Sequence, residues 1–319
     1  MKKTTKALLA ISAIVAAPII INHVINKKAQ QRIVQKAALQ PEDANVFSWE
    51  YGDINYVIKG PQNAVPLLLI HGIYPGASTL EWQEAISHFA EDYRVYAIDL
   101  LGFGYSSKPA LDYSSYLYVR LVKDFIENVI GRPTIAAASL HSATALISCA
   151  ALNPEDFESI VLVSPVGLEC ATQLAQEEDE YIKKTLETPI AGTSFYNALS
   201  SKRALSKFFV KESLADEEFM DAETLDKIYL AAHAGGSGGK HAMAALLSKY
   251  FNTDVKQCLS DLTIPNHIIL GEQFDGAESV FNLWQGVDEQ YQATTIDGAG
   301  LLPHMISPAI FHEAVSHLI

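Results

Sequence analysis

The sequence is poor in the residues that build redox or metal centres. It has three cysteines, Cys149, Cys170 and Cys258. Their spacing fits no metal-binding or dithiol pattern, and an odd number cannot be fully paired within one chain, so they read as inert thiols. There is no phosphate loop, dinucleotide fingerprint or metal-ligand cluster, and hence no cofactor and no metal is expected. No internal repeat or low-complexity tract occurs. Basic residues are scarce beyond the first forty positions: 16 against 37 acidic, a net of −21. A body that acidic repels nucleic acid, so no nucleic-acid partner is expected, and a neutral or cationic small molecule suits its field best.

Acidic residues, in turn, are missing from residues 1–40, which carry Lys2, Lys3, Lys6, Lys27, Lys28, Arg32 and Lys36. Within that stretch Ala7 to Ile21 is apolar except for Ser12 and Pro18, and Val24 and Ile25 extend it. As a helix, Ala7 to Ile25 would span about 28 Å, close to the hydrocarbon thickness of a bilayer. An uncleaved anchor, a cleaved signal peptide and an apolar helix packed on the body compete. The want of a clean cleavage site and the basic stretch that follows favour an anchor, making a membrane a partner through this segment. Lysines on both flanks leave the orientation open. The absence of a paired cysteine framework leans toward a cytoplasmic body.

What remains is rich in ordered pattern. Val46 to Glu50 and Ile54 to Lys59 alternate around Gly52-Asp53, as in a hairpin. Val65 to Ile70 is a continuous apolar run, as a doubly buried strand requires. Strand-like and helical stretches then alternate up to Ser164, with Ser78 as a helix cap and Gly131 as a helix stop. The alternation breaks between Glu169 and Asp261, where the residues are helical and charged, and returns after Pro265. The expected fold is therefore α/β, a mostly parallel sheet covered on both faces with a helical insertion. The expected division is an N-terminal segment over 1–40, a core over 41–167 and 263–319, and an insertion over 168–262.

Two motifs stand at strand ends. One is Leu67-Leu68-Leu69-Ile70-His71-Gly72. The other is Asp99-Leu100-Leu101-Gly102-Phe103-Gly104-Tyr105-Ser106-Ser107-Lys108-Pro109. Together, and in this order, they resemble the α/β-hydrolase family, whose oxyanion loop and D-x-x-G-x-G-x-S-x-x-P run they match. The resemblance covers the whole body, and the insertion corresponds to the family's cap domain. It implies the α/β-hydrolase fold, with a serine nucleophile on a tight strand-to-helix turn, an acid after a late core strand and a histidine base near the C-terminus.

The residues answer that expectation unevenly. Ser139, in Ala137-Ala138-Ser139-Leu140-His141-Ser142-Ala143, follows a strand and opens a helix, but the glycines of G-x-S-x-G are absent and His141 is bulky. It reads as the nucleophile or as a residual helix-cap serine, with the Ile73 and Leu140 amides as oxyanion donors. Asp275 is the acid candidate, one residue later than the family's common spacing. Glu272 is the alternative, and an exposed acidic loop without a role is the competing reading. At the tail, Ala299-Gly300-Leu301-Leu302-Pro303-His304 puts Leu301 at the base position and His304 at the family's second histidine. Leucine cannot accept a proton. Either His304 is recruited or the triad is broken. Three functions follow: a hydrolase of small apolar esters using Ser139, His304 and Asp275; a catalytically impaired member binding a small apolar ligand or a protein partner under its cap; or a purely structural membrane-associated protein. The retained oxyanion loop and serine count against the last.

Overall fold

Residues with alternating burial open the described chain as a hairpin. Strand β1 (Ala44–Trp49) pairs antiparallel with β2 (Gly52–Lys59), Trp49 opposite Gly52, so the turn falls on Glu50-Tyr51, just ahead of the expected Gly52-Asp53. The computed structural model describes residues 43–166, 175–210, 220–286 and 293–319. The expected membrane segment over 1–40 and Cys170 lie outside the described residues.

Strand β3 (Pro66–Ile70) is buried along its whole length. It lies between β4 (Arg94–Ile98) and β5 (Thr134–Ser139), parallel to both. Strands β6 (Phe157–Val163), β7 (Asn266–Gly271) and β8 (Ala293–Ile296) extend the sheet, giving the order β1-β2-β4-β3-β5-β6-β7-β8. β2 meets β4 antiparallel, and every pairing from β4 onward is parallel.

The period of two along each strand sorts side chains between two cores. Leu68, Ile70, Ala136, Ala138 and Leu162 belong to one. It is covered by α2 (Ser115–Phe125) and α3 (Ser142–Leu152), through Leu121, Phe125, Leu146 and Ile147. Leu67, Leu69, Ile135, Ala137 and Val161 belong to the other. It is covered by Trp82 of the 3₁₀ turn Thr79–Trp82, by α1 (Gln83–Phe89) and by the C-terminal helix Pro308–Ser316. Ser78 caps the 3₁₀ turn, accepting from the Leu80 amide at 3.4 Å. The helical stretch begun by α2 ends at Gly131, which takes the left-handed φ of 73° that favours glycine. Cys149 is a free, buried thiol whose pKa burial pushes up to about 12, which keeps it unreactive.

Between β6 and β7 the described residues hold helices and no strand: α4 (Glu177–Leu186), α5 (Ala191–Leu199), α6 (Lys202–Phe208), α7 (Ala222–His233), α8 (Lys240–Leu247) and α9 (Lys256–Asp261). They pack on the loops that leave the carboxyl ends of β3 and β4. Tyr74 stacks on Phe208 with ring centroids 5.1 Å apart, and Ala242 faces Gly102. After β7 come α10 (Ala277–Gln285), a short helix α11 (Pro303–Ile306) and the C-terminal helix, α12. Among the described residues no helix is long and apolar enough to cross a membrane.

Candidate active site

The carboxyl ends of β3, β4 and β5 bring the sequence motifs together. His71, just past β3, accepts the Leu100 amide on Nε2 at 3.0 Å, which leaves Nδ1 to donate to the Gly72 carbonyl at 2.7 Å. Asp99, just past β4, is a buried loop organiser. Its two oxygens accept from the Thr79 amide (2.7 Å), the Asn55 side chain (2.8 Å) and the Tyr105 amide (2.7 Å). Ser142, at the start of α3, donates to the His71 carbonyl at 2.6 Å and pins α3 to β3. These contacts make the two loops a scaffold for the site.

The strand-to-helix turn is shifted by one residue from the expected one. Ser139 is the last residue of β5, paired with Val163 in the ladder. The residue in the left-handed region is Leu140, at φ 51°. A non-glycine residue held there costs on the order of 1–3 kcal/mol and persists only where its surroundings enforce it. The Leu140 amide donates to the Val163 carbonyl at 3.0 Å, so the ladder has consumed one of the two expected oxyanion donors. Ile73, the other, is buried directly after Gly72. Leu140 packs on the oxyanion loop so closely that a Cβ at Gly72 would come within 2.8 Å of it, which is why glycine is needed there.

Because side chains alternate, one residue of shift changes the face. Leu140 points with Ala136 and Ala138 into the core shared with the inserted helices. Ser139 is fully buried on the side of Trp82 and Glu81. There its hydroxyl donates to Glu81 Oε1. The same oxygen accepts His304 Nε2 at 2.9 Å, and Oε2 accepts the Gly72 amide at 2.9 Å. The His304 ring stacks on Trp82, centroids 3.9 Å apart. Glu81 is therefore the hub of a buried polar cluster that joins the 3₁₀ turn, the oxyanion loop, β5 and α11. Burial alone would raise its pKa, but the hydrogen bond and charge of His304, with the Ser139 hydroxyl, outweigh that and hold it below its ordinary 4.5. Tyr74 is driven well above its ordinary 10.0 by burial and by the adjacent Glu81 charge.

The expected pairing of His304 with Asp275 is replaced by the pairing with Glu81. Asp275 is exposed in the turn before α10, while Phe274 ahead of it packs on the core. Glu272, the alternative acid, accepts the Gly298 amide at 2.9 Å. Leu301 is half-buried against the same core as Leu140. The loops after β7 and β8 do lie together, Gln273 donating to the Ala299 carbonyl at 2.9 Å. His141, at the head of α3, makes no bond to Ser139. Burial pushes its pKa down to about 4, and its Nδ1 has no partner among the described residues. Sequence reasoning passed over Glu81. The signal was there: Glu81, Ala85 and Phe89 recur every four residues on one apolar stripe, where a carboxylate needs buried donors.

The sequence profile described as the alpha/beta hydrolase family matches residues 67–314. The chain belongs to that family. A 2-hydroxy-6-oxo-6-(2'-aminophenyl)hexa-2,4-dienoic acid hydrolase from Metapseudomonas resinovorans is 38% identical over 106 residues, 32% of this chain and 36% of the relative. Carboxylesterase YbfK from Bacillus subtilis is 26% identical over 135 residues, 41% of this chain and 45% of the relative. The chain thus matches about a third to a half of the length of these relatives, both named as hydrolases. The crystal structure of a membrane phospholipase A shares the fold at a TM-score of 0.68 and 18% identity, covering 100% of this chain and 98% of the other. Among the described residues no group of three or more histidine, cysteine, aspartate or glutamate side chains is placed to hold a metal ion.

Proposed function

We propose that this member of the hydrolase family binds a small apolar ligand at its inserted helices and has lost the family's serine triad, with Leu140, Phe274 and Leu301 standing at the nucleophile, acid and base positions. The carrying observation is the φ of 51° at Leu140. Reading G-x-S-x-G with Leu140 at its centre puts the small residues Ala138 and Ser142 on the two glycine positions. The family's common spacing after β7 then falls on Phe274, and Leu301 already stands at the base position. Three apolar side chains can neither attack, orient nor accept a proton.

The buried cluster does not replace them. Ser139 passes its hydrogen bond to a carboxylate, not an imidazole, and that carboxylate, held below 4.5, is a weak base. One of the two expected oxyanion donors, the Leu140 amide, is taken up by the Val163 carbonyl. The second reading is serine hydrolysis of small apolar esters from Ser139 with Glu81 and His304. It draws on the Ser139–Glu81–His304 chain and on the names of the relatives. Intact-mass analysis after a fluorophosphonate decides between them. We expect no adduct on the native chain, and an adduct with measurable ester turnover on Leu140→Ser/Phe274→Asp/Leu301→His, since general-base assistance is typically worth about 10²–10⁴-fold. A native adduct that disappears in Ser139→Ala overturns the binding reading. The N-terminal segment is proposed to tether the body to a membrane, on the strength of its apolar run between lysines. Equal solubility without detergent of the full chain and of one starting near Gln40 would overturn that.

A further inference from the structure

A cavity of about 160 Å³ lies where the head of α1 meets the inserted helix α7. Leu80, Glu81, Gln83 and Glu84 line it from the core, Thr224 and Lys227 from α7, and Met305 from α11. It lies beside the buried cluster, through Glu81 and through Met305 next to His304, but the Glu81 carboxyl is turned inward and fully covered. Its volume is near the roughly 150 Å³ of an engineered apolar cavity that takes up benzene. Leu80 and Met305 supply its apolar wall, and the other lining side chains are polar or charged. At the mouth the Lys227 ammonium is engaged by Glu223 at 2.9 Å, whereas no ion pair to Glu84 occurs among the described residues. Glu84 is exposed, and among the described residues it accepts a neutral contact from the Gln83 amide at 3.4 Å. The net charge of the chain, −14, adds to the same sign.

We infer that this cavity is a binding site for a small organic ammonium ion carrying one benzene-sized apolar group, the ring against Leu80 and Met305 and the nitrogen at Glu84. An apolar seat of about six carbons supplies the affinity, and one exposed carboxylate supplies the preference for a cation. Benzylammonium is the matching probe, toluene its neutral control and benzoate its anionic one. The inference goes beyond the binding reading above: it adds a cationic group to the apolar one and names the seat. Labelling of Ser139 by a fluorophosphonate would sink that reading and leave this one standing.

The test uses the full-length chain with methyl-labelled methionine. It has four methionines, Met1, Met220, Met243 and Met305, and Met305→Leu assigns the reporter. Benzylammonium is expected to shift the Met305 methyl with a dissociation constant of about 1 mM, in keeping with so few atoms. Benzoate should bind about tenfold more weakly, and Glu84→Gln should narrow that gap to about threefold or less. Thr224→Trp should fill the seat and abolish the shift for every probe. Glu84→Gln changes a solvent-exposed side chain, so it keeps the test decisive if the tryptophan variant fails to fold. A Met305 signal unmoved at tens of millimolar, a shift equal for benzoate and benzylammonium, or a response confined to Met243 would each overturn the inference.

Discussion

Ser139 and Leu140 are neighbours in sequence and opposites in surroundings. Ser139 closes a strand in extended backbone and gives its hydroxyl to a buried carboxylate. Leu140 holds the left-handed turn and fills the space beside the oxyanion loop with carbon. The two point to opposite faces of the sheet, one to the Glu81–His304 cluster and the other to the core beneath the inserted helices. If the elbow is centred on Leu140, as proposed, the hydroxyl beside it points to the opposite face of the sheet. Chemistry at a strand-to-helix turn belongs to the residue with the strained backbone, since only its side chain is lifted to the turn's apex.

The sharpest way to break this comparison is to remove the hub on the Ser139 side. Glu81→Ala strips the partner from the Ser139 hydroxyl, the Gly72 amide and His304 Nε2 in one step. Orphaning a buried charged network of this kind costs about 3–5 kcal/mol, which urea unfolding of native and variant chains would read. Glu81→Gln keeps the shape and an acceptor and should cost roughly half as much. A Glu81→Ala variant within about 1 kcal/mol of native stability would mean that the cluster is incidental.

Two groups beside the turn should also separate on a pH scale. His141, at the head of α3, is held down to about 4, below its ordinary 6.5. Between those values the unfolded chain binds the proton and the folded chain does not. Stability therefore falls as pH drops from about 6.5 to about 4. The Glu81 contribution is full above its ordinary 4.5 and is lost as pH falls through its lowered value. His141→Gln should reduce the slope of the upper window, to which His233 and His267, also held down by burial, contribute, and Glu81→Gln should reduce the slope of the lower one. Thermal unfolding across this range checks both; one common slope removed by either variant would contradict two independent sites.

How far the sequence carried differs by kind of signal. The all-apolar run at β3 dictates a doubly buried strand, and the loss of strand–helix alternation after Ser164 marks the helices that follow β6. These depend on many residues at once, so an error of one position is harmless. The site depends on single positions. The elbow residue cannot be told from Ala138-Ser139-Leu140 without the backbone, because no glycine flags the register. Glu81 was overlooked because a glutamate near a helix start is ordinarily a solvated, dipole-favoured residue. The four-residue stripe with Ala85 and Phe89 points to its burial, but the donors that satisfy it come from β5, the oxyanion loop and α11, distant in sequence.

The smallest expected effect sharpens the comparison at the remaining triad position. Asp275 and Phe274 are again adjacent, and again the polar residue that sequence reasoning preferred is not the one facing the core. Asp275 is exposed, and the His304 nitrogen it was expected to orient is bonded to Glu81. Phe274 packs on the core cluster and lies against Gly276, where a Cβ would come within 2.5 Å of its ring. Asp275→Asn therefore removes a solvated charge and should change stability by no more than about 0.5 kcal/mol. It should leave fluorophosphonate labelling as it was. Phe274→Ala, which withdraws a ring from half-buried contact, should cost more, about 1–2 kcal/mol. The order of the pair is the test. If Asp275→Asn is the more damaging of the two, or if it alters ester turnover while Phe274→Ala does not, then Asp275 has the acid's role after all, and the assignment of Phe274 to the acid position falls with it.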